Sequence, residues 1–146
     1  MINIVIDTTV LVSGMLTPGR APAQLFELVL AGKIKLVISP QIIQEIQRVL
    51  EYPGIIKLMK KRRLEAEELE NALWRIVRVA HITVGAVTVQ GVAADPSDDI
   101  FLACALEGQA EFIVSGDHHL TDLKNYQGIN ILPPAAFISL WSEYAR

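Results

Sequence analysis

The feature that most constrains the fold is a series of four short apolar segments spaced along the chain. They read INIVI at residues 2–6, KLVIS at 35–39, FIVS at 112–115 and INIL at 129–132. Each is rich in β-branched residues and is apolar on both faces or nearly so, which is typical of parallel strands covered by helices on both sides. We therefore expect a mainly parallel sheet at the centre of the molecule.

Helical patterns separate these segments and cover residues 22–33, 40–52, 64–80, 96–109 and 133–145. Ser39 and Asp95 each precede a proline, so each offers a capping side chain followed by proline at the first helical position. The alternation predicts an α/β fold built as a three-layer α/β/α sandwich. The stretch from Pro53 to Ala80 has no strand pattern and predicts a helical hairpin arm packed beside the sheet. Residues 82–90 predict an edge strand or hairpin.

Length and composition predict a single domain spanning residues 1–146. The chain is 51% hydrophobic and 20% charged, which allows a sizeable core. Its formal net charge of -3 gives no general attraction for nucleic acid, so a polyanionic partner needs a local basic patch or a metal ion. A single cysteine, Cys104, excludes an internal disulfide, and no apolar run has the length of a membrane span. We expect a cytoplasmic protein.

Two of the predicted strands lead directly into aspartate. Asp7 follows INIVI, and Asp117 follows FIVSG. The carboxyl ends of parallel strands lie at one edge of a sheet, where ligands bind in open α/β folds. Aspartate also starts turns and caps helices, so either residue alone favours neither interpretation. Two strands that end alike favour a site.

The segment DPSDD places three more carboxylates ahead of an apolar helix. Asp95 is expected to cap this helix, and an acid in the first turn complements the helix dipole. The third carboxylate is in excess, because close like charges need a cation or hydrogen-bond donors to offset them. If the apolar face of the helix packs on the sheet, Asp99 projects toward the strand ends. Asp98 then faces outward or reinforces the cap.

Glu45 lies in the helical pattern that follows KLVIS, at the boundary between the apolar stripe and solvent. An acid there is ordinarily a solvated flank, but the first turns of this helix begin at the carboxyl edge of the sheet. Asp7, Glu45, Asp99 and Asp117 are therefore expected to converge. Carboxylates without His or Cys partners fit Mg²⁺ or Mn²⁺ better than zinc. A carboxylate-activated water beside such a cation can hydrolyse a phosphodiester.

Four motifs, in this order, resemble the PIN domain family. They read VIDTTVLVSGML, SPQIIQEIQRVL, DPSDDIFLACALEGQAEFIVSGDHHLTDL and INILPPAAFI, and they are similar to the small prokaryotic branch of VapC-like toxins from toxin-antitoxin pairs. The resemblance covers nearly the whole chain and implies an α/β/α nuclease that uses Mg²⁺ or Mn²⁺ to cut single-stranded RNA. It implies catalytic roles for Asp7, Glu45, Asp99 and Asp117, with the three aspartates as metal ligands.

The resemblance also implies supporting residues and partners. Ser115 matches a Thr or Ser position of the family, where it orients Asp117 or a water, and Asp98 is a supporting acid beside the cluster. Thr9 stands where the family usually has asparagine, and a hydroxyl offers fewer hydrogen-bonding groups than an amide. A cognate antitoxin and a second copy of the chain, in a homodimer or higher homo-oligomer, are the implied protein partners.

Three further features leave alternatives open. The segment KLMKKRR forms either an RNA-binding arm or a solvated turn between helices. Its cations are Lys57, Lys60, Lys61, Arg62 and Arg63. His118 and His119 either assist metal binding or proton transfer, or belong to a short surface helix. Trp74 and Trp141 lie at apolar helical spacing, which favours packing in the core or between subunits over base stacking.

Other functions compete with the nuclease. A haloacid-dehalogenase phosphatase also has Asp after its first strand, but it needs a second Asp two residues later, where this chain has Thr9. A receiver domain needs its phosphoacceptor Asp after the middle strand, where KLVIS is followed by proline. A catalytically weak or inactive PIN scaffold that binds RNA or a protein partner is supported by Thr9. Retention of all four acids favours the enzyme.

Overall fold

The computed structural model describes residues 1–145, and a six-stranded sheet runs through its centre. The strands are β1 (Asn3–Ile6), β2 (Lys35–Ile38), β3 (His81–Ile82), β4 (Phe112–Val114), β5 (Asn125–Tyr126) and β6 (Ile129–Leu132). The helices are α1 (Thr8–Leu16), α2 (Ala21–Leu30), α3 (Pro40–Val49), α4 (Pro53–Lys61), α5 (Ala66–Val79), α6 (Asp99–Glu107), α7 (His118–Thr121) and α8 (Pro134–Tyr144).

The strand order across the sheet is β3-β2-β1-β4-β6-β5, and every neighbouring pair is parallel except β5 and β6. This arrangement confirms the predicted α/β fold with a mainly parallel sheet. Strand β1 lies between β2 and β4, and its residues Ile4, Val5 and Ile6 are fully buried. They are apolar on both faces because helices cover the sheet on both sides.

Helices α1, α2, α5 and α8 contact one another in one layer, whereas α6 packs across β1, β2 and β4. The predicted hairpin is present as α4 and α5, and α5 lies beside the sheet as expected. It packs against α2 and β2, and its residues Leu73 and Ile76 are fully buried. The amphipathic spacing of α5 fits this position, because it buries one stripe of the helix against the sheet.

The edge strand or hairpin predicted over residues 82–90 is present only at its start, where β3 (His81–Ile82) forms one edge of the sheet. Residues 83–95, the strap, form no strand and cross the surface of α6. Helix α1 was not predicted because TTVLVSGML has apolar residues on every side and no charged residue, so it gives no clear 3.6-residue period. Strand β5 was not predicted because it has two residues, joined to β6 through Gln127 and Gly128, both at positive φ as a two-residue hairpin turn requires.

Within residues 1–145, no helix combines the length and the hydrophobicity that crossing a membrane demands.

Candidate active site

The first part of the site is built by two neighbouring strands. Ile6 of β1 pairs with Val114 of β4, so the residues after them emerge side by side at the carboxyl edge of the sheet. Ser115 is fully buried there, and its hydroxyl donates a hydrogen bond to Oδ2 of Asp7. The Ser115 Oγ in turn accepts a hydrogen bond from the backbone N–H of Asp117 at 3.0 Å. Ser115 therefore links the two predicted acids, through the side chain of one and the backbone of the other.

Asp7 is held rigidly at this edge. It caps helix α1, and its Oδ1 accepts a hydrogen bond from the Val10 N–H at 2.8 Å. Burial raises the pKa of Asp7 above its ordinary value, although hydrogen bonds from Ser115, Val10 and the Gly116 amide oppose that rise. The carboxylate is thus fixed in orientation and nearly removed from water.

Asp117 begins the short helix α7, and its Oδ1 accepts a hydrogen bond from the His119 N–H at 2.8 Å. The imidazole Nδ1 atoms of His118 and His119 lie 3.9 and 3.1 Å from the same oxygen. The two histidines belong to a short surface helix, as one of the two interpretations predicted. They also stand directly beside a site carboxylate.

The structure reverses the orientations predicted for Asp98 and Asp99. Asp98 ends a 3₁₀ turn, Pro96–Asp98, and lines one cavity together with Asp7 and Asp117. Its Oδ2 is buried and has no hydrogen-bond partner among residues 1–145. Asp99 does not line that cavity, so the structure does not bring it together with the other three predicted acids.

The strap explains why Asp99 turns away. Its Oδ2 accepts a hydrogen bond from the Gly91 N–H at 2.9 Å, and its Oδ1 accepts one from the Ala93 N–H at 2.8 Å. The strap forms no strand, so its amides have no neighbouring strand to pair with, and the amide of the buried Ala93 would cost free energy if it were left unpaired. Asp99 supplies the acceptor and is 4% exposed.

Asp98 lies in an electrostatically unfavourable place. Burial, together with the negative charges of Asp117 and Asp95, raises the pKa of Asp98 to about 7. Asp95 differs, because the amide and hydroxyl of Ser97 donate to it at 3.0 and 2.9 Å and lower its pKa. Asp95 therefore caps its turn as predicted, whereas Asp98 has an excess of negative charge around it.

The cavity measures about 380 Å³ and has an acidic and an apolar side. Glu45 lines it from helix α3 while forming an ion pair with Arg48, and Thr9 lies exposed on its lining. The apolar lining residues are Val12, Val49, Ile55 and Phe101, beside the aromatic Tyr52. Tyr52 was not anticipated. Its only sequence signal is an aromatic residue directly before the proline that begins α4.

The donors around this cavity fit a hard divalent cation. They are carboxylates, one of which has an unpaired buried oxygen, and the cavity lining contains no thiolate. Mg²⁺ and Mn²⁺ favour such oxygen ligands, and a cation would remove the repulsion that raises the pKa of Asp98. One ligand atom each from Asp95, Asp98 and His119 also lies within 4.8 Å of the others. Burial raises the pKa of the Cys104 thiol to about 12, which favours the protonated thiol over the thiolate.

The cations of KLMKKRR divide between two roles. Lys57, Lys60 and Lys61 are exposed on helix α4. Arg62 instead donates to the Leu16 carbonyl at 3.1 Å and ties the end of α4 to α1. Arg63 adopts a positive φ of 57° in the connection to α5. Lys57, Lys60, Lys61 and Arg63 are exposed and make no side-chain hydrogen bond or ion pair among residues 1–145, so their charges are free to meet a polyanion.

The two tryptophans also differ. Trp141 is partly buried against the core. Trp74 is 40% exposed, and its indole N–H points to Glu70 at 3.4 Å, so it is not a core residue. Packing of Trp74 between subunits stays a prediction.

Comparison with known proteins assigns the family. A family model described as PIN domain matches residues 3–119, a span that includes all the acids of the cavity. The chain is 28% identical over 127 residues to an uncharacterized protein of Methanocaldococcus jannaschii, covering 85% of this chain and 76% of that protein. The fold is similar to the PIN domain of human SMG5, with a TM-score of 0.51 and 14% identity, over 95% of this chain and 98% of that chain. At such identity the structural likeness concerns the fold alone. The chain belongs to the PIN domain family, a family of metal-dependent nucleases.

Proposed function

We propose that this chain is a Mg²⁺- or Mn²⁺-dependent endoribonuclease that hydrolyses phosphodiester bonds of single-stranded RNA. The observation that carries the proposal is the buried Oδ2 of Asp98, which has no partner within residues 1–145 and shares a cavity with Asp7 and Asp117. A folded protein keeps an unpaired buried carboxylate oxygen at a cost in stability. A ligand that supplies positive charge explains why the cost is accepted.

Asp7, Asp98 and Asp117 would hold the cation, with Glu45 on the α3 side of the cavity. A bound divalent cation supplies positive charge that offsets the negative charge developing on the phosphodiester oxygens. This assignment replaces Asp99 by Asp98 in the set of ligands implied by the family resemblance.

Residues around the cavity orient the ligand Asp7 and the attacking water. Ser115 and the Val10 amide together fix both oxygens of Asp7, so this carboxylate needs little rearrangement on binding. Glu45 is only partly buried and lines the cavity, and we assign it the orientation of the attacking water. Its carboxylate also forms an ion pair with Arg48 on the same helix.

The lysines of α4 support a polyanionic substrate, because the net charge of -3 would otherwise repel one. A role as a toxin, with a cognate antitoxin and a homo-oligomeric state in the cytoplasm, rests on the resemblance to VapC-like proteins. Adding a purified candidate antitoxin to the cleavage reaction tests that finer role. Inhibition at equimolar concentration supports it, and undiminished cleavage contradicts it for that candidate.

The nuclease itself is tested by cleavage of a mixed-sequence single-stranded RNA in Mg²⁺, Mn²⁺ or EDTA. We expect cleavage in either metal, none in EDTA, and a decrease of about 100-fold or more for Asp98→Asn. Asp122→Asn removes an exposed acid at the end of α7 and is the matched control, with native activity expected. Metal-independent cleavage, or equal losses in both variants, would contradict the assignment.

A further inference from the structure

Tyr52 occupies a position that neither the fold nor the acids explain. The side chain is 45% exposed, yet it lines the cavity that contains Asp7, Asp98 and Asp117. Among residues 1–145, its hydroxyl makes no hydrogen bond, and its ring forms no pair with another aromatic ring. An exposed aromatic ring beside a charged cavity gains little from hydrophobic burial, which points to a ligand that covers it.

The backbone holds this ring at a rigid corner between α3 and α4. The Tyr52 N–H donates to the Val49 carbonyl at 3.0 Å, and the Tyr52 carbonyl accepts from the amides of Ile55 and Ile56, each at 3.0 Å. Pro53 follows as the first residue of α4 and fixes its own φ. The backbone position of the ring is therefore fixed, and because tyrosine has only two side-chain torsions, ordering the ring on binding costs little conformational entropy.

The surface that continues from Tyr52 is basic. Ile56 lies four residues after Tyr52, and the exposed Lys57 and Lys60 lie three residues apart on α4. The sequence contains no acid between Pro53 and Leu64. An aromatic platform that leads into a row of cations matches how proteins bind single-stranded nucleic acid, with a base on the ring and phosphates on the cations.

We propose that Tyr52 stacks on a nucleobase next to the scissile phosphodiester and thereby selects single-stranded substrates. The proposal rests on the proposed function, because it takes the cavity as the site of cleavage. Duplex bases are already stacked on their neighbours, so they cannot cover the ring without unstacking. The charge of α4 attracts either form of nucleic acid, and Tyr52 supplies the discrimination between them.

The test is the affinity for a labelled single-stranded RNA in EDTA, measured by fluorescence anisotropy so that no cleavage intervenes. Tyr52→Ala should weaken binding by about tenfold, the range that loss of one stacked base gives. Tyr52→Phe should stay within about twofold of native, because the ring and not the hydroxyl carries the contact. Tyr144→Ala removes a 63% exposed tyrosine from α8 and is the matched control, with no change expected.

Abasic nucleotides sharpen the result. Removing one base at a time along the strand should weaken native binding at one position, and Tyr52→Ala should be insensitive to the abasic site there. Single-stranded DNA of the same sequence should show the same factor, because stacking does not require the 2′-hydroxyl. An equal effect of Tyr52→Ala on duplex RNA would overturn the stacking role. A shift in the oligomeric state of Tyr52→Ala on sedimentation would assign the ring to a protein interface instead and would also overturn it.

The binding assay separates this proposal from the proposed function. Native protein that leaves RNA intact in every metal, but binds it in a Tyr52-dependent manner, would contradict the nuclease and retain the platform. Metal-dependent cleavage with unchanged affinity for Tyr52→Ala would retain the nuclease and contradict the platform.

Discussion

The cavity at the carboxyl edge of the sheet and the strap that crosses α6 both contain buried or backbone-bound acids, but they treat them in opposite ways. On the strap side, Asp99 accepts two backbone amides and Glu107 accepts three, from Gly85, Ala86 and Val87, at 2.8 to 3.2 Å. In the cavity, Asp98 is repelled by the negative charges of Asp117 and Asp95 and keeps one oxygen unpaired among residues 1–145. Asp99, whose two oxygens accept backbone amides, holds the strap against α6, whereas Asp98, which keeps one oxygen unpaired, marks a place for a ligand.

The largest expected effect on stability comes from the strap. Asp99→Ala removes two charge-assisted hydrogen bonds and leaves the amides of Gly91 and Ala93 without an acceptor, so the free energy of unfolding should decrease by about 3 kcal/mol. Urea denaturation at pH 7 measures it. Asp98→Asn, one residue away, should not destabilise the metal-free protein. Equal destabilisation by the two substitutions would remove the contrast between cavity and strap.

Ser115→Ala should produce the next largest effect, inside the cavity. It removes a buried donor to Asp7 and an acceptor for the Asp117 amide, which costs about 2 kcal/mol in the free energy of unfolding. Because Asp7 loses its fixed orientation, RNA cleavage should also decrease by about tenfold at saturating metal. Thermal denaturation and cleavage rates check the two parts. An unchanged cleavage rate in a destabilised variant would show that Ser115 serves the fold alone.

The acids of the two regions should make the free energy of unfolding depend on pH with opposite signs. For the cavity the expected change is about 1 kcal/mol or less after allowance for solvent screening, which is smaller than the effect of Ser115→Ala. Asp98 retains its proton up to a pKa of about 7 in the folded chain, against 3.8 in the unfolded chain. The folded state therefore binds more protons between these values, and the stability of the metal-free protein decreases as pH rises from about 4 to 7. Asp98→Asn should abolish this decrease in denaturation measured in EDTA. Persistence of the decrease in Asp98→Asn would assign it to another group.

The smallest effect belongs to Glu107, whose pKa is lowered by the amides of Gly85, Ala86 and Val87. A lowered pKa stabilises the folded state above the ordinary value of 4.5, and that contribution is lost as pH falls through the folded pKa. Glu107→Gln should therefore speed hydrogen exchange at those three amides at pH 7 and change the melting temperature little. Equal exchange rates at these amides in native protein and Glu107→Gln at pH 7 would contradict a role of Glu107 in holding the strap.

Much of the fold was predictable because it depends on local pattern. The four main strands occur within one residue of the predicted segments, because short β-branched apolar runs are typical of strands that helices cover on both faces. Asp7 and Asp117 followed from the strand ends. The positions of Asp98 and Asp99 did not, because their orientations depend on a 3₁₀ turn and on strap amides that contact α6 only through tertiary structure. The place of Tyr52 in the cavity lining was not predictable either, because it depends on how the connection between α3 and α4 packs beside the acids.

The most direct test of the central claim is calorimetric titration of Mn²⁺ into native protein, Asp98→Asn and Asp99→Asn at a temperature where all three are folded. We expect native protein and Asp99→Asn to bind Mn²⁺ with similar affinity, whereas Asp98→Asn should bind at least about tenfold more weakly. Weaker binding by Asp99→Asn together with native affinity in Asp98→Asn would contradict this expectation, because the satisfied acid would then be the ligand and the unsatisfied one would not.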